Sequence, residues 1–325
     1  GSVTIASGGT YLATSGTTTI TSESGLGYAA NVDGTFTHNN GTLTITTPAS
    51  TFMSPITPYN LIINHSSANV RYTGPSSSTM TIANDLTITA GIFDPDDGDE
   101  NLTVTGDVSV TGTLGASNVT SAISFGSLTI NSGGTYIATS GITTLNGNFT
   151  MSSDTATFTH NSGTVEIAGN CELLPTDFDS SETARHVFNN VTQSAGTFYL
   201  ERPSKIEGNY TKSGGDLVHY TKLTMGTTSA SSTLTVNSGE WKMYGYYGSP
   251  YLYAASELYP INITGSVTDP INWDNVDSTT RGTYIYIKGI NYQKDTTTGG
   301  NGARIVLDGD CEFDAITISG GDTLD

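Results

Sequence analysis

The stretch Gly126-Ser127-Leu128-Thr129-Ile130-Asn131-Ser132-Gly133-Gly134-Thr135-Tyr136-Ile137-Ala138-Thr139-Ser140-Gly141 decides the fold, because the chain contains it twice. Its first copy is Gly1-Ser2-Val3-Thr4-Ile5-Ala6-Ser7-Gly8-Gly9-Thr10-Tyr11-Leu12-Ala13-Thr14-Ser15-Gly16. Further on, Thr35-Phe36-Thr37-His38-Asn39-Asn40-Gly41-Thr42 matches Thr157-Phe158-Thr159-His160-Asn161-Ser162-Gly163-Thr164. Residues 1–50 and 126–170 therefore form one long internal repeat, offset by about 122–125 residues.

A shorter period runs inside it. Apolar-Thr-apolar triplets followed by small residues and Gly recur at Leu86-Thr87-Ile88, Val108-Ser109-Val110, Leu128-Thr129-Ile130 and Phe149-Thr150-Met151. The pattern returns near Val191, Tyr210, Leu234, Ile261 and Ile316. In each triplet the apolar residues alternate with a hydroxyl residue, so one face points to a core and the other to water. The Ser-Gly-Gly, Asn-Gly and Asp-Gly steps between them tolerate positive φ and read as turns. One such unit cannot bury its own apolar face, but stacked units bury a continuous core. The expectation is an all-β chain: a right-handed parallel β-helix, or β-solenoid, with coils of about 19–24 residues. The handedness follows the general habit of such solenoids. Regular coils are expected over 1–220, a variant Tyr-rich stretch of wider coils or an insertion over 221–300, and a return to the regular coil over 301–325.

Composition agrees. Charged residues make up 13% of the 325, and no window carries the apolar spacing of an amphipathic helix. Thr, Val, Ile and Tyr are abundant, and they suit a pleated surface. The formal net charge of −19 argues against a nucleic-acid partner and against an anionic lipid surface. No apolar run reaches the length of about 18 residues that a membrane-spanning helix needs, so no membrane insertion is expected. Cys171 and Cys311 stand in matching contexts, Ile167-Ala168-Gly169-Asn170-Cys171-Glu172 and Leu307-Asp308-Gly309-Asp310-Cys311-Glu312. They read as equivalent repeat positions several coils apart, hence as separate buried thiols.

Residues able to carry chemistry are few. The run Asp94-Pro95-Asp96-Asp97-Gly98-Asp99-Glu100 offers the oxygen ligands that Ca²⁺ favours, at Asp94, Asp96, Asp97 and Asp99. Gly98 falls where an EF-hand loop needs a ligand, and a polar turn explains the run equally. No other cofactor is expected. Asp177, Asp179 and Glu182, and then Asp269, Asp274 and Asp277, are loop carboxylates. Their spacing does not create the defined carboxyl pair that acid–base hydrolysis requires. The five histidines form no metal signature, and the equivalence of His38 and His160 assigns them a structural place in the coil. Thr-x-Thr steps such as Thr42-Leu43-Thr44 do not recur at a fixed phase along the chain, so an ice-binding face is not expected. The best contact candidates are Trp241, Tyr244, Tyr246, Tyr247, Tyr251 and Tyr253, since aromatic rings stack on sugars and anchor protein contacts. Packing within the coil is the competing use of these rings.

The coil from Leu128 to Tyr136, and the stretch Gly91-Ile92-Phe93-Asp94-Pro95 through Leu102-Thr103-Val104-Thr105-Gly106-Asp107-Val108-Ser109-Val110, resemble repeats of large β-solenoid surface proteins. Such repeats occur in phage fibre and decoration proteins and in bacterial adhesins. The resemblance covers roughly residues 1–215 and the last twenty or so; it does not reach the Tyr-rich stretch. It implies a non-catalytic, extracellular structural or adhesive rod, a virion fibre or a capsid or tail decoration protein. A bacterial or archaeal cell-surface adhesin or extracellular filament subunit is the alternative, and a polysaccharide-degrading β-helix enzyme the second. The implied location is the virion surface or the cell surface. The implied partners are further copies of the chain, other structural proteins of the same assembly, and cell-surface glycans.

The repeat also runs on at the last residues, where Ile316-Thr317-Ile318-Ser319-Gly320-Gly321-Asp322-Thr323-Leu324 restates the coil opening. The expectation is an excerpt of a longer chain. Mass spectrometry of the native material should give an intact mass well above 33.9 kDa; a value near that figure would sink it.

Overall fold

The computed structural model describes residues 1–21, 27–54, 56–75, 77–95, 100–115, 120–175, 186–200 and 204–219. Beyond these it describes the strand segments 223–225, 232–236, 241–243, 256–258, 261–263, 284–288, 304–308 and 323–324. The described elements are all β-strands, and their pairings are parallel, the arrangement of a β-solenoid. The chain divides into two compact units, Gly1–Gly163 and Thr164–Asp325.

In the first unit each coil visits three walls in a fixed order. One wall stacks Leu61, Leu86, Val108, Leu128 and Phe149 in register, and beside them Ile63, Ile88, Val110, Ile130 and Met151. All of these side chains are buried. A second wall stacks Ile82, Val104, Phe125 and Leu145. A third stacks Val70, Phe93, Leu114, Tyr136 and Phe158. Alternation makes the residues between them face out. Thr87, Ser109, Thr129 and Thr150 form one such outer column. Parallel pairing puts residue on residue, so a repeated sequence becomes a column of like side chains. Aromatic rings close the interior: Phe125 meets Tyr136 edge-on at 5.6 Å, and Phe149 meets Phe158 at 5.1 Å.

The second unit, in its described part, is built the same way. Thr164–Ile167, Asn190–Gln193, Tyr210–Lys212 and Ser232–Val236 form one ladder. Cys171–Pro175, Thr197–Leu200, Asp216–His219 and Trp241–Met243 form another. Strands from His186–Phe188 to Thr323–Leu324 form a third.

Corners between walls stack as tightly as the walls do. A Cβ added at Gly126 would collide with the carbonyl oxygens of Thr105 and Gly106, one coil away, and one at Gly106 would collide with Asp85 Oδ1. The two copies of the long repeat build identical corners. Gly8 and Gly133 both take φ of 77°, and Gly9 and Gly134 both donate to the residue three back at 2.8 Å. At the other shared corner Asn39, Asn40, Asn161 and Ser162 all have positive φ, and Gly41 and Gly163 close the turns onto the His38 and His160 carbonyls. In each turn the histidine Nδ1 accepts the backbone N–H two residues on, at 3.0 Å.

Two corrections follow. The coils vary more than the 19–24 residues expected. Register partners lie 18 apart at Thr42 and Asn60, 27 apart at Val3 and Ala30, and 33 apart at Met225 and Leu258. Only the strands must match; corners absorb extra residues at small entropic cost. The Thr-x-Thr steps also stack in part: Thr17 and Thr19 pair with Thr42 and Thr44, and the next coil then places Asn60 and Ile62 there.

The corners yield a paired prediction. Gly126→Ala, which meets backbone on the neighbouring coil, should cost about 3 kcal/mol through overpacking. Gly133→Ala has open space around its Cβ and only the positive φ to oppose it, and should cost about 1 kcal/mol. Urea midpoints of the two variants check the order; equal midpoints would show that the corners are not interlocked.

Candidate functional site

The acidic run begins at the end of strand Leu86–Asp94. Asp94 turns out to be buried, and its Oδ2 lies 3.4 Å from the Nε of Arg71, its register partner on strand Asn60–Tyr72. A carboxylate at this depth is stabilised by a paired cation. Glu100, at the far end of the run, is also buried, and its Oε1 accepts the backbone N–H of Gly74 at 3.0 Å. Close by, the hydroxyls of Tyr72 and Ser78 are 3.4 Å apart. Burial, with the Glu100 charge adding to it, pushes the Tyr72 phenol above its ordinary pKa against the opposing hydrogen bond from Ser78. The two ends of the run thus bind their neighbouring coil. Asp96, Asp97 and Asp99 lie outside the described residues, as do Asp177, Asp179, Glu182, Asp269, Asp274 and Asp277. Among the described residues, no group of three or more His, Cys, Asp or Glu side chains is placed to hold a metal ion.

Trp241 begins strand Trp241–Met243, where it pairs with Leu217 of the preceding coil. Tyr244, Tyr246, Tyr247, Tyr251 and Tyr253 lie outside the described residues. Cys171 is a buried free thiol; Cys311 is outside the described residues.

Three features were missed in the sequence. The first is a shallow cleft in the first unit, lined by Thr14, Thr18, Phe36, His38, Thr42 and Tyr59 among others. The His38 and Tyr59 rings are 5.3 Å apart there. Since His38 Nδ1 accepts a backbone N–H, its neutral ring carries the proton on Nε2. The second is His65. Strand Asn60–Tyr72 pairs with Leu86–Asp94 on both sides of an irregularity, Asn64 opposite Ala90 and Asn69 opposite Ile92. His65 is buried there against Gly91, where φ is 81° and no Cβ would fit. Desolvation pulls the His65 pKa below its ordinary value, more strongly than a backbone hydrogen bond at Ile92 raises it. The third is a polar set inside the second unit: Gln193, Tyr210, Lys212, His186 and Ser204 are all buried. The signal was available, since Gln193 and Lys212 occupy inward positions of the alternation in Val191-Thr192-Gln193 and Tyr210-Thr211-Lys212.

No family model, no curated protein and no solved structure matches the chain. The geometry itself defines the class: a repetitive β-solenoid protein in which polar side chains such as those of Asn84, Asp85, Asn131 and Gln193 bond from one coil to another.

His65 generates a pH prediction. Its folded pKa is depressed, so the unfolded chain binds the proton more readily. Its contribution to stability is complete above the unfolded value near 6.5 and is lost as pH falls towards the folded one. Urea midpoints should therefore drop between pH 7 and pH 5, and His65→Gln should flatten part of that slope. Parallel slopes in both proteins would exclude His65 as the cause.

Proposed function

We propose that the chain is a non-catalytic structural rod of an extracellular assembly, a virion fibre or a capsid or tail decoration protein. The observation that carries this reading is the coil-on-coil construction: parallel ladders on three walls, with corners so close that backbone meets backbone. A stack of this kind transmits load through dense backbone hydrogen bonds, and its length grows with coil number. Hydroxyl columns such as Thr87, Ser109, Thr129 and Thr150 keep an outer face polar. The net charge of −19 makes neighbouring rods repel one another and keeps them soluble. Partners in this reading are further copies, other structural proteins of the assembly, and surface glycans met by the aromatic-rich stretch around Trp241 and Tyr244 to Tyr253.

The same physics serves a cell-surface adhesin or filament subunit, so the owner of the rod is decided by what it is attached to. Mass spectrometry of native material, with quantification of co-purifying proteins, is the test. A major capsid or tail protein at fixed stoichiometry is the expected result. Cell-envelope partners would move the rod to a cell surface, and release of reducing sugar from a polysaccharide would overturn the non-catalytic reading.

A further inference from the structure

The second unit contains a buried polar joint that a rod does not require for its strength. Gln193 ends strand Asn190–Gln193 and is wholly buried. Its register partners are Ile167 in the preceding coil and Lys212 in the next. The side-chain Nε2 donates to the Gly196 carbonyl at 3.1 Å and to the Asp216 carbonyl at 2.8 Å. Its Oε1 accepts the hydroxyl of Tyr210 at 2.6 Å. One amide thus holds its own coil's corner, the next coil's corner and the next coil's strand. All three of these bonds stay within residues 193–216.

An inner column of the first unit is apolar from Ile45 through Ile63, Ile88, Val110 and Ile130 to Met151. Such a column tolerates a slip of two residues, because period-two alternation returns apolar side chains to the interior. The joint at Gln193 does not. The two-residue slip that sets Ser213 opposite Thr192 carries Tyr210 about 7 Å further from Gln193 along the strand and strands a buried amide oxygen and a buried phenol.

We infer that the Gln193–Tyr210 joint is a register key: it selects the native pairing of Asn190–Gln193 with Tyr210–Lys212 over the pairing shifted by two residues that sets Ser213 opposite Thr192. A lone polar residue in an apolar coiled-coil seam selects register by the same physics. A rival for this role stands at the nearby corner. There Asn209 donates its N–H to Asn190 Oδ1 at 2.9 Å, and Gly208 has no room for a Cβ against Asn190.

Cysteine reporters separate the two. Thr192 and Thr211 are register partners in the native pairing, with Cα atoms about 5 Å apart, within reach of a disulfide. Thr192 and Ser213 come opposite only after the slip; in the native register Ser213 lies two residues beyond the partner of Thr192, with Cα atoms about 8 Å apart, beyond that reach. The full chain is used, with Cys171→Ala and Cys311→Ala to remove the native thiols. Thr192→Cys with Thr211→Cys should close under mild oxidation, and Thr192→Cys with Ser213→Cys should stay open. Adding Gln193→Leu should raise closure of the slipped pair about tenfold. Tyr210→Phe removes one hydroxyl, keeps the ring, and should act in the same direction. It decides alone if Gln193→Leu does not fold. Closure confined to the native pair in folded Gln193→Leu, or in Tyr210→Phe when that variant decides alone, would overturn the inference and give the register to the corner.

Discussion

Backbone hydrogen bonding between coils sets the coil spacing, and nearly everything else in the molecule follows from that spacing. Parallel strands bonded to one another lie about 4.8 Å apart. The corners that join the walls must then stack at the same distance, although they lack the regular ladder that holds the strands. At that distance a side chain on the inner bend of a corner has nowhere to go. Gly106 and Gly126 in the first unit, and Gly196 and Gly215 in the second, each lie against backbone of the coil before. At Gly106 and Gly126 their value is the absence of a Cβ alone, while Gly196 and Gly215 also take φ of 67° and 68°. Side chains obey the same spacing, which is why buried residues stand in columns and why an Asn or Asp at a corner finds its partner one coil away, as Asp85 does with the N–H of Asp107.

The spacing constrains strands and corners but leaves the length between them open. Coils lengthen wherever extra residues can leave the wall and return in register. The irregularity in strand Asn60–Tyr72 shows the cost of doing this inside a wall. The residues after Asn64 are extra relative to the partner strand, His65 is driven into the interior, and Gly91 must give up its Cβ and take a positive φ to admit the ring. A titratable group is thereby buried in an otherwise apolar stack. The acidic run beyond Asp94 is placed differently: its described ends are fastened by Arg71 and by the Gly74 N–H, so each end is part of the coil contacts whatever the intervening residues do.

The long repeat adds a consequence of its own. Val3–Ile5 pairs with Ala30–Val32, and through Met53 and Tyr72 belongs to the wall of Phe93 and Leu114. Its repeat equivalent Leu128–Ile130 belongs to the wall of Leu86 and Val108. The repeat therefore contains a whole number of walls and not of coils, and equivalent residues occupy different walls. Tyr136 is sealed inside, with its hydroxyl 2.9 Å from Thr143 Oγ1 and its phenol pKa pushed far up by burial. Tyr11 is half-buried in the first coil of the described structure and stacks on Phe36 at 5.8 Å. Identical strand-and-corner modules can do this because each wall asks the same of a strand: an alternating triplet between two tight corners.

Alternation, turn residues and self-similarity are local properties, and they were sufficient for the class. From them came the all-β solenoid, the inward set typified by Leu128 and Ile130, the glycine corners and the structural role of His38 and His160. Nothing local states how much chain a corner can hold, so coil lengths came out too uniform. Nothing local says which carboxylate of an acidic run turns inward, and the pairing of Asp94 with Arg71 depends on a register set between strands 23 residues apart in sequence. Gln193 and Lys212 were visible as polar residues at inward positions. That the amide of Gln193 reaches two carbonyls and a phenol at once was decided only when two coils were brought together, because a buried polar group takes its meaning from the atoms that replace water around it.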